Sequence, residues 1–222
     1  MLWYVSLLIF FIWGPHILAS SSIIEHVEDM CKSGLASLAF YYFDFSDVKK
    51  QHRHGLLLSL LFQLCGQSDP YCDTLSRLYS IYKRERDPDE SLLTRYLKDM
   101  LRSSGQPPVY LILDGLDALD KCPNPPDTLS PRENVLMLLE ELVDLHLPNL
   151  CICVTSSLEV NIKTVLDRLD FRSISLHDQE GQKRDIRDFV TSVVHSDRQA
   201  QRWRAEDKEL AIDVLSQKAN GM

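Results

Sequence analysis

The sequence predicts an α/β fold, a three-layer arrangement in which a parallel sheet carries helices on both faces. Three observations carry that expectation. Val109 to Leu113 (VYLIL) and Leu150 to Thr155 (LCICVT) are short, continuous apolar runs, the pattern of strands covered on both sides. Helical patterns with three-to-four spacing lie between such runs, and alternating strands and helices favour parallel pairing. Finally, 222 residues with 45% hydrophobic and 25% charged side chains, 8 Gly and 10 Pro can bury a large core and are not disordered, collagen-like or low-complexity. The length suits one large domain.

The elements follow in order. Leu2 to Trp13 is apolar except for Ser6, too short for a helix across a bilayer, which needs about 20 residues. It reads as a buried strand or a mis-assigned gene start; the alternative is a signal or anchor, for which Ala19, Ser20 and Ser21 offer small residues but no Lys or Arg precedes the run. Ile23, Ile24, Val27, Met30 and Cys31 recur at helical spacing, and Gly34 can stop that helix. Leu38 to Phe45 (LAFYYFDF) is a strand ending in the Ser46-Asp47 turn signal. Leu56 to Leu64, Leu75 to Tyr82 and Ser91 to Leu101 are helical patterns separated by Gly66, Asp69-Pro70 and Asp87-Pro88, and Gln106-Pro107-Pro108 ends them.

After the 109–113 strand, Ser130-Pro131-Arg132-Glu133 is a capping box with Pro at the first helical position; it opens the amphipathic run Val135, Leu136, Leu138, Leu139, Leu142, Val143 and Leu145. Leu150 to Thr155 is strand, Val160 to Leu169 helix, Ser173 to Leu176 strand, Ile186 to Val194 helix, and Leu210 to Lys218 helix with Asn220-Gly221 at its end.

Composition also narrows the function. With 24 basic and 32 acidic side chains the net charge is −8, the wrong sign for gripping a phosphate backbone, so nucleic acid is not expected as a partner. The six cysteines form no C-x-x-C pair and no zinc or haem spacing with histidine; they read as reduced core thiols, Cys151 and Cys153 on one strand face. None of the five asparagines lies in an N-x-[ST] sequence, and both facts favour a cytoplasmic location. Lys49 to His54 (KKQHRH) is a basic run read as a solvated helix start, with a phosphate or anionic-lipid contact as the alternative, and Trp203 as a packing anchor.

In open parallel sheets the ligand lies outside the carboxyl ends of the strands, so the residues following each strand matter most. After the 109–113 strand come Asp114, Asp117 and Asp120, spaced by three. An acid at the end of a buried strand holds Mg²⁺ in P-loop NTPases while the cation bridges phosphates, which makes Asp114 and Asp117 candidate Mg²⁺ acids. The partner motif, G-x-x-x-x-G-K-[ST], is absent: none of the eight glycines is followed by Lys. Without that loop and lysine, neither tight nucleotide binding nor efficient hydrolysis is expected, and no cofactor is assigned; ATP or GTP with Mg²⁺ would enter only if a phosphate loop lay upstream.

Leu38–Asp47 (LAFYYFDFSD), Gly55–Leu64 (GLLLSLLFQL), Asp117–Asn124 (DALDKCPN), Leu145–Ser156 (LHLPNLCICVTS), Asp185–Val190 (DIRDFV) and Lys218–Met222 (KANGM) resemble the fungal NACHT-type STAND P-loop NTPases, the NLR-like proteins with nephrocystin 3-like N-terminal domains. The resemblance runs over roughly residues 17 to 222. It implies a nucleotide-driven signalling switch, often joined to ankyrin or other repeats, that takes part in non-self recognition or programmed cell death. It also implies protein partners, among them NACHT-type relatives.

This sequence departs from the family at telling places. Where the family has a phosphate loop of the GKPGSGKS kind, Phe11-Ile12-Trp13-Gly14-Pro15-His16 stands before Ile17. The family's water-activating Glu would fall at Ala118 or Lys121, according to whether Asp114 or Asp117 is aligned to the Mg²⁺ acid, and neither can act as a base. The family's sensor-like arginine falls on Ser157, and the sequence stops where helical and winged-helix lids would continue. The expected organisation is a 1–16 apolar segment, a 17–198 α/β domain and, at 199–222, the start of a lid region, a sheet fold incomplete at both ends. The expected function is that of a degenerate or truncated signalling NTPase module acting through protein interaction. The alternatives are an active ATP or GTP switch whose phosphate-loop exon is missing, and a membrane-tethered or secreted protein using residues 2–13.

Overall fold

Five strands form one sheet in the computed structural model of the chain, which describes residues 8–13, 17–44, 46–67, 76–77, 79–80, 83, 88–103, 105–121, 129–169, 171–175, 180–196 and 200–218. They are β1 (Leu8–Trp13), β2 (Ser37–Tyr42), β3 (Val109–Asp114), β4 (Leu150–Ser156) and β5 (Arg172–Ser175), in the spatial order β2-β3-β4-β1-β5. β2 pairs with β3, β3 with β4 and β4 with β1, all parallel. Residues 8–13 of the apolar N-terminal run therefore enter the sheet: Phe11 lies opposite Val154 and is fully buried. No helix among the described residues is long and apolar enough to cross a membrane.

The helices are α1 (Ile17–Lys32), α2 (Arg53–Cys65), α3 (Glu90–Leu101), α4 (Pro131–Val143), α5 (Val160–Arg168), α6 (Glu180–Ser196) and α7 (Ala205–Lys218). Ser130 caps α4 as the sequence requires: its hydroxyl accepts the Glu133 N–H, and the Glu133 carboxylate accepts the Ser130 N–H. Half of the 75–82 helix pattern falls outside the described residues, as does Asn220-Gly221.

The principal core lies on one face of the sheet. Val109, Leu111 and Leu113 of β3, with Leu150, Ile152 and Val154 of β4, meet α2, α3, α4 and α5. Helix α2 brings Leu56, Leu57, Leu60, Leu61 and Leu64, each no more than 1% exposed, and each such leucine contributes roughly 2 kcal/mol of burial free energy. The opposite face carries Tyr110, Ile112, Cys151 and Cys153, which with Ile23, Val27 and Met30 of α1 line an apolar cavity of about 300 Å³.

Strand β2 is an edge of the sheet, and two amides close that edge, Gln63 in the last turns of α2 and Gln67 in the turn just after it. Gln67 accepts the Leu38 N–H at 2.8 Å and donates to the Leu38 carbonyl; Gln63 accepts the Phe40 N–H at 3.0 Å and donates to the Phe40 carbonyl at 2.8 Å. The outward backbone groups of Leu38 and Phe40 are thus satisfied by one side chain of α2 and one from the turn that follows it.

The chain divides into two compact units, Met1–Ile174 and Ser175–Met222, a boundary earlier than the 198/199 division expected from the sequence. The second unit packs α6 against α7 around Val194, Ala200 and Ile212, with Arg187 reaching Asp213 at 2.7 Å and Glu209 at 2.9 Å. Trp203, expected as a packing anchor, is 48% exposed because it sits in the turn before α7 rather than on a buried helix face. The basic run is not a wholly solvated helix start either. Arg53, its side chain only 13% exposed, turns inward to Glu141 at 3.0 Å and Thr94 at 3.1 Å.

Candidate functional site

Strand order decides where a ligand can sit. β1 leads through α1 to β2 at one edge, whereas β4 leads through α5 to β5 on the far side of β1. The two connections diverge at the carboxyl ends of β1 and β4, which marks that crevice as the binding position of an open parallel sheet.

Asp114 is the last residue of β3, beside the end of β4. Gly115 follows at φ +77°, a left-handed conformation that a side chain would strain, and turns the chain into a short 3-10 helix, Leu116–Lys121, anchored by the fully buried Leu116 and Leu119. From β4, the fully buried Thr155 donates its hydroxyl to Asp114 Oδ1 at 2.5 Å and accepts the Gly115 N–H at 3.0 Å. Two residues on, the Ser157 N–H donates to Asp117 Oδ1 at 3.1 Å. Both acids singled out in the sequence are therefore tied to the end of β4, and Ser157, where the sensor-like arginine was expected, serves through its backbone.

Arg132 is the site residue that sequence reasoning missed. It lies in the first turn of α4 and is 2% exposed; its guanidinium reaches Glu159 Oε2 at 2.5 Å and the Asp117 carbonyl at 3.2 Å. One side chain thus braces the turn carrying Asp117 against the loop leaving β4. A signal existed: a cation in the first turn opposes the helix dipole and calls for an anionic partner.

The neighbouring titratable groups respond to burial and to Asp114. Tyr42 has its phenol raised, first by burial and then by the Asp114 charge. Burial pushes Cys151 up to about 11, and burial, Cys151 and Asp114 together push Cys153 up to about 12. These thiols stay protonated near neutrality, which suits core packing and not metal ligation.

Among the described residues nothing donates to Asp114 Oδ2, and that oxygen fits a Mg²⁺ held mainly by water and phosphate. No group of three or more His, Cys, Asp or Glu residues is placed to hold a metal among the described residues, so an all-protein cage is absent there. The half-buried Ala118 offers no carboxylate, and nor does Lys121. Residues 14–16, between β1 and α1, lie outside the described residues; in sequence they are Gly-Pro-His, without a lysine.

The family model described as Nephrocystin 3, N-terminal matches residues 16–157. No curated protein matches the chain. A chain in the structure of Drosophila ORC bound to DNA is similar over 95% of this chain and 49% of its own length, at 12% identity and TM-score 0.52. The Aeropyrum pernix ORC2 protein, in ADPNP–ADP complexes, is similar over 84% of this chain and 45% of its own length, at 12% identity and TM-score 0.46. This chain thus spans about half the length of those solved chains. The Drosophila likeness shows a shared P-loop ATPase type of fold and, at that identity, the fold alone.

Proposed function

The chain belongs to the nephrocystin 3 N-terminal family, and from that membership we propose that it is a degenerate NACHT-type (STAND) signalling module, cytoplasmic, that works through protein interaction and not through efficient nucleotide hydrolysis. One observation carries the reading. Asp114 keeps the strand-end position of a Mg²⁺ acid, yet the positions open to a catalytic base are Ala118 and Lys121, and no G-x-x-x-x-G-K-[ST] occurs in the sequence.

The chemistry follows from what is missing. When bound, Mg²⁺ would neutralise phosphate charge beside Asp114, but the sequence holds no phosphate-loop lysine to share that work, and neither Ala118 nor Lys121 can activate water. Thr155 holds Asp114 in orientation and Arg132 holds the turn of Asp117, so these residues maintain the shape of a switch site without completing it. Exposed Phe189 and Val193 on α6 and Leu210 and Leu215 on α7 are apolar side chains of the kind that contact partners, and intact NACHT-type relatives are the partners proposed.

The test is ATP and GTP binding with Mg²⁺-dependent turnover of the purified chain, expected to stay at background and to be unaffected by Asp114→Asn. Turnover near that of an intact relative sinks the reading. A second reading, an active switch whose phosphate loop is encoded upstream of Ile17, is favoured by the unengaged Asp114 Oδ2. The 5′ end of the native transcript decides it: a phosphate loop joined to Ile17 makes nucleotide binding the function, and a transcript beginning at Met1 leaves partner binding.

A further inference from the structure

Away from the sheet ends, α2, α3 and α4 enclose a groove of about 340 Å³ lined by four cations, Arg53, Arg95, Lys98 and Arg102, against one carboxylate, Glu141. This is a strongly positive recess on a chain of net charge −8. Glu141 is already committed on both oxygens, to Arg53 at 3.0 Å and to Lys98 at 2.7 Å. Arg95 stacks over Tyr96 at 5.8 Å, and neither Arg95 nor Arg102 has an ion pair among the described residues. Arg53 forms the floor of the groove, and its Nε has no hydrogen-bond partner among the described residues.

Spacing gives the charge a shape. Arg95 and Lys98 lie on a face of α3 turned away from the buried Leu93 and Leu97, and Arg102 caps the end of the helix on the same side, so the cations run in a stripe about 10 Å long. Guanidinium forks match phosphate oxygens in pairs, which a flexible ammonium does not. The recess, with a cation at its floor and two unpaired forks at its rim, suits a compact dianion better than an extended chain of single charges.

We propose that this groove binds a phosphate group, held between the guanidinium groups of Arg95 and Arg102 with Lys98 beside them. The phosphate belongs to a soluble phosphate ester or to a lipid headgroup. The groove shares no residue with Asp114 or Asp117, so binding here is independent of the switch site and of Mg²⁺.

The experiment is calorimetric titration of the full chain with sodium pyrophosphate in Mg²⁺-free buffer, alongside co-sedimentation with phosphatidylcholine vesicles containing phosphatidic acid. Saturable, salt-sensitive pyrophosphate binding is expected, weakened about tenfold or more by Arg102→Gln and further by adding Arg95→Gln. Arg102→Lys should fall between, and Asp114→Asn should change nothing. Vesicle binding that needs both arginines, without pyrophosphate binding, assigns the phosphate to a lipid headgroup. Because both arginines are solvent-facing and without ion pairs among the described residues, thermal melting of the variants should match the parent. The proposal is overturned if neither probe binds, or if the double variant binds as tightly as the parent. Adding Mg²⁺ in a parallel titration should leave the binding unchanged; binding that appears only with Mg²⁺ and is lost in Asp114→Asn would instead place the phosphate at the sheet end, against both this proposal and the degenerate-module reading.

Discussion

Thr155 and Asp114 stand on adjacent strands, 41 residues apart in sequence, joined by a hydrogen bond of 2.5 Å from the threonine hydroxyl to the aspartate carboxylate. The same hydroxyl receives the Gly115 N–H, so one buried oxygen fixes both the acid and the turn that follows it.

Thr155→Val keeps the shape and removes that oxygen. It leaves the Gly115 N–H and Asp114 Oδ1 unpaired, which costs about 1–3 kcal/mol. Urea denaturation should show a lower midpoint for Thr155→Val and a smaller loss for Thr155→Ser; equal losses would mean that the hydroxyl contributes nothing.

Arg132 and Glu159 differ in burial, 2% against 36% side-chain exposure, and this asymmetry predicts which half of the pair matters more. Glu159→Ala leaves the buried guanidinium with the Asp117 carbonyl but without its carboxylate and should cost more than Arg132→Met, which removes the charge and keeps much of the volume. Chemical unfolding of the two variants checks the order, and the reverse order refutes it.

Glu141 gives the stability a pH dependence. Burial raises its carboxyl, but hydrogen bonds from Lys98 and Arg53 outweigh that effect and hold it below the usual range. A folded value below the unfolded one, about 4.3, gives stabilisation that is full above the unfolded value and is lost as pH falls through the folded value. Denaturation midpoints measured from about pH 6 to pH 3 should therefore fall less steeply in Glu141→Gln than in the parent. Parallel curves would show that the Lys98 and Arg53 contacts do not persist in solution.

The amides of Gln63 and Gln67 predict an association defect. Substituting both by alanine removes the partners of the Leu38 and Phe40 backbone groups and opens the β2 edge to another chain. Size-exclusion chromatography should show concentration-dependent oligomers for the double variant, with each single variant intermediate. A monodisperse double variant would argue that water suffices at this edge.

Local pattern carried much of this architecture. The runs 109–113 and 150–155 are strands because nearly every side chain in them is apolar, and the 130–133 capping box starts its helix where four residues alone require it. The apolar start at Leu8–Trp13 could be read as strand or signal from sequence, and its pairing with β4 is visible only in the fold. Trp203 and Arg53 went the other way, because exposure depends on which neighbours fold over a side chain and not on its own neighbours in sequence.

By itself the sequence determined the α/β class, the acids at the end of the third strand and the absence of a lysine-bearing phosphate loop, all of which are short-range facts of residue type and spacing. Tertiary structure alone decided that β1 lies between β4 and β5, that Thr155 clamps Asp114, and that Arg132 braces the Asp117 turn against Glu159. The physical reason is range. Periodicity records which face of an element is buried, whereas strand order, register and the meeting of side chains 27 to 41 residues apart arise only when elements pack.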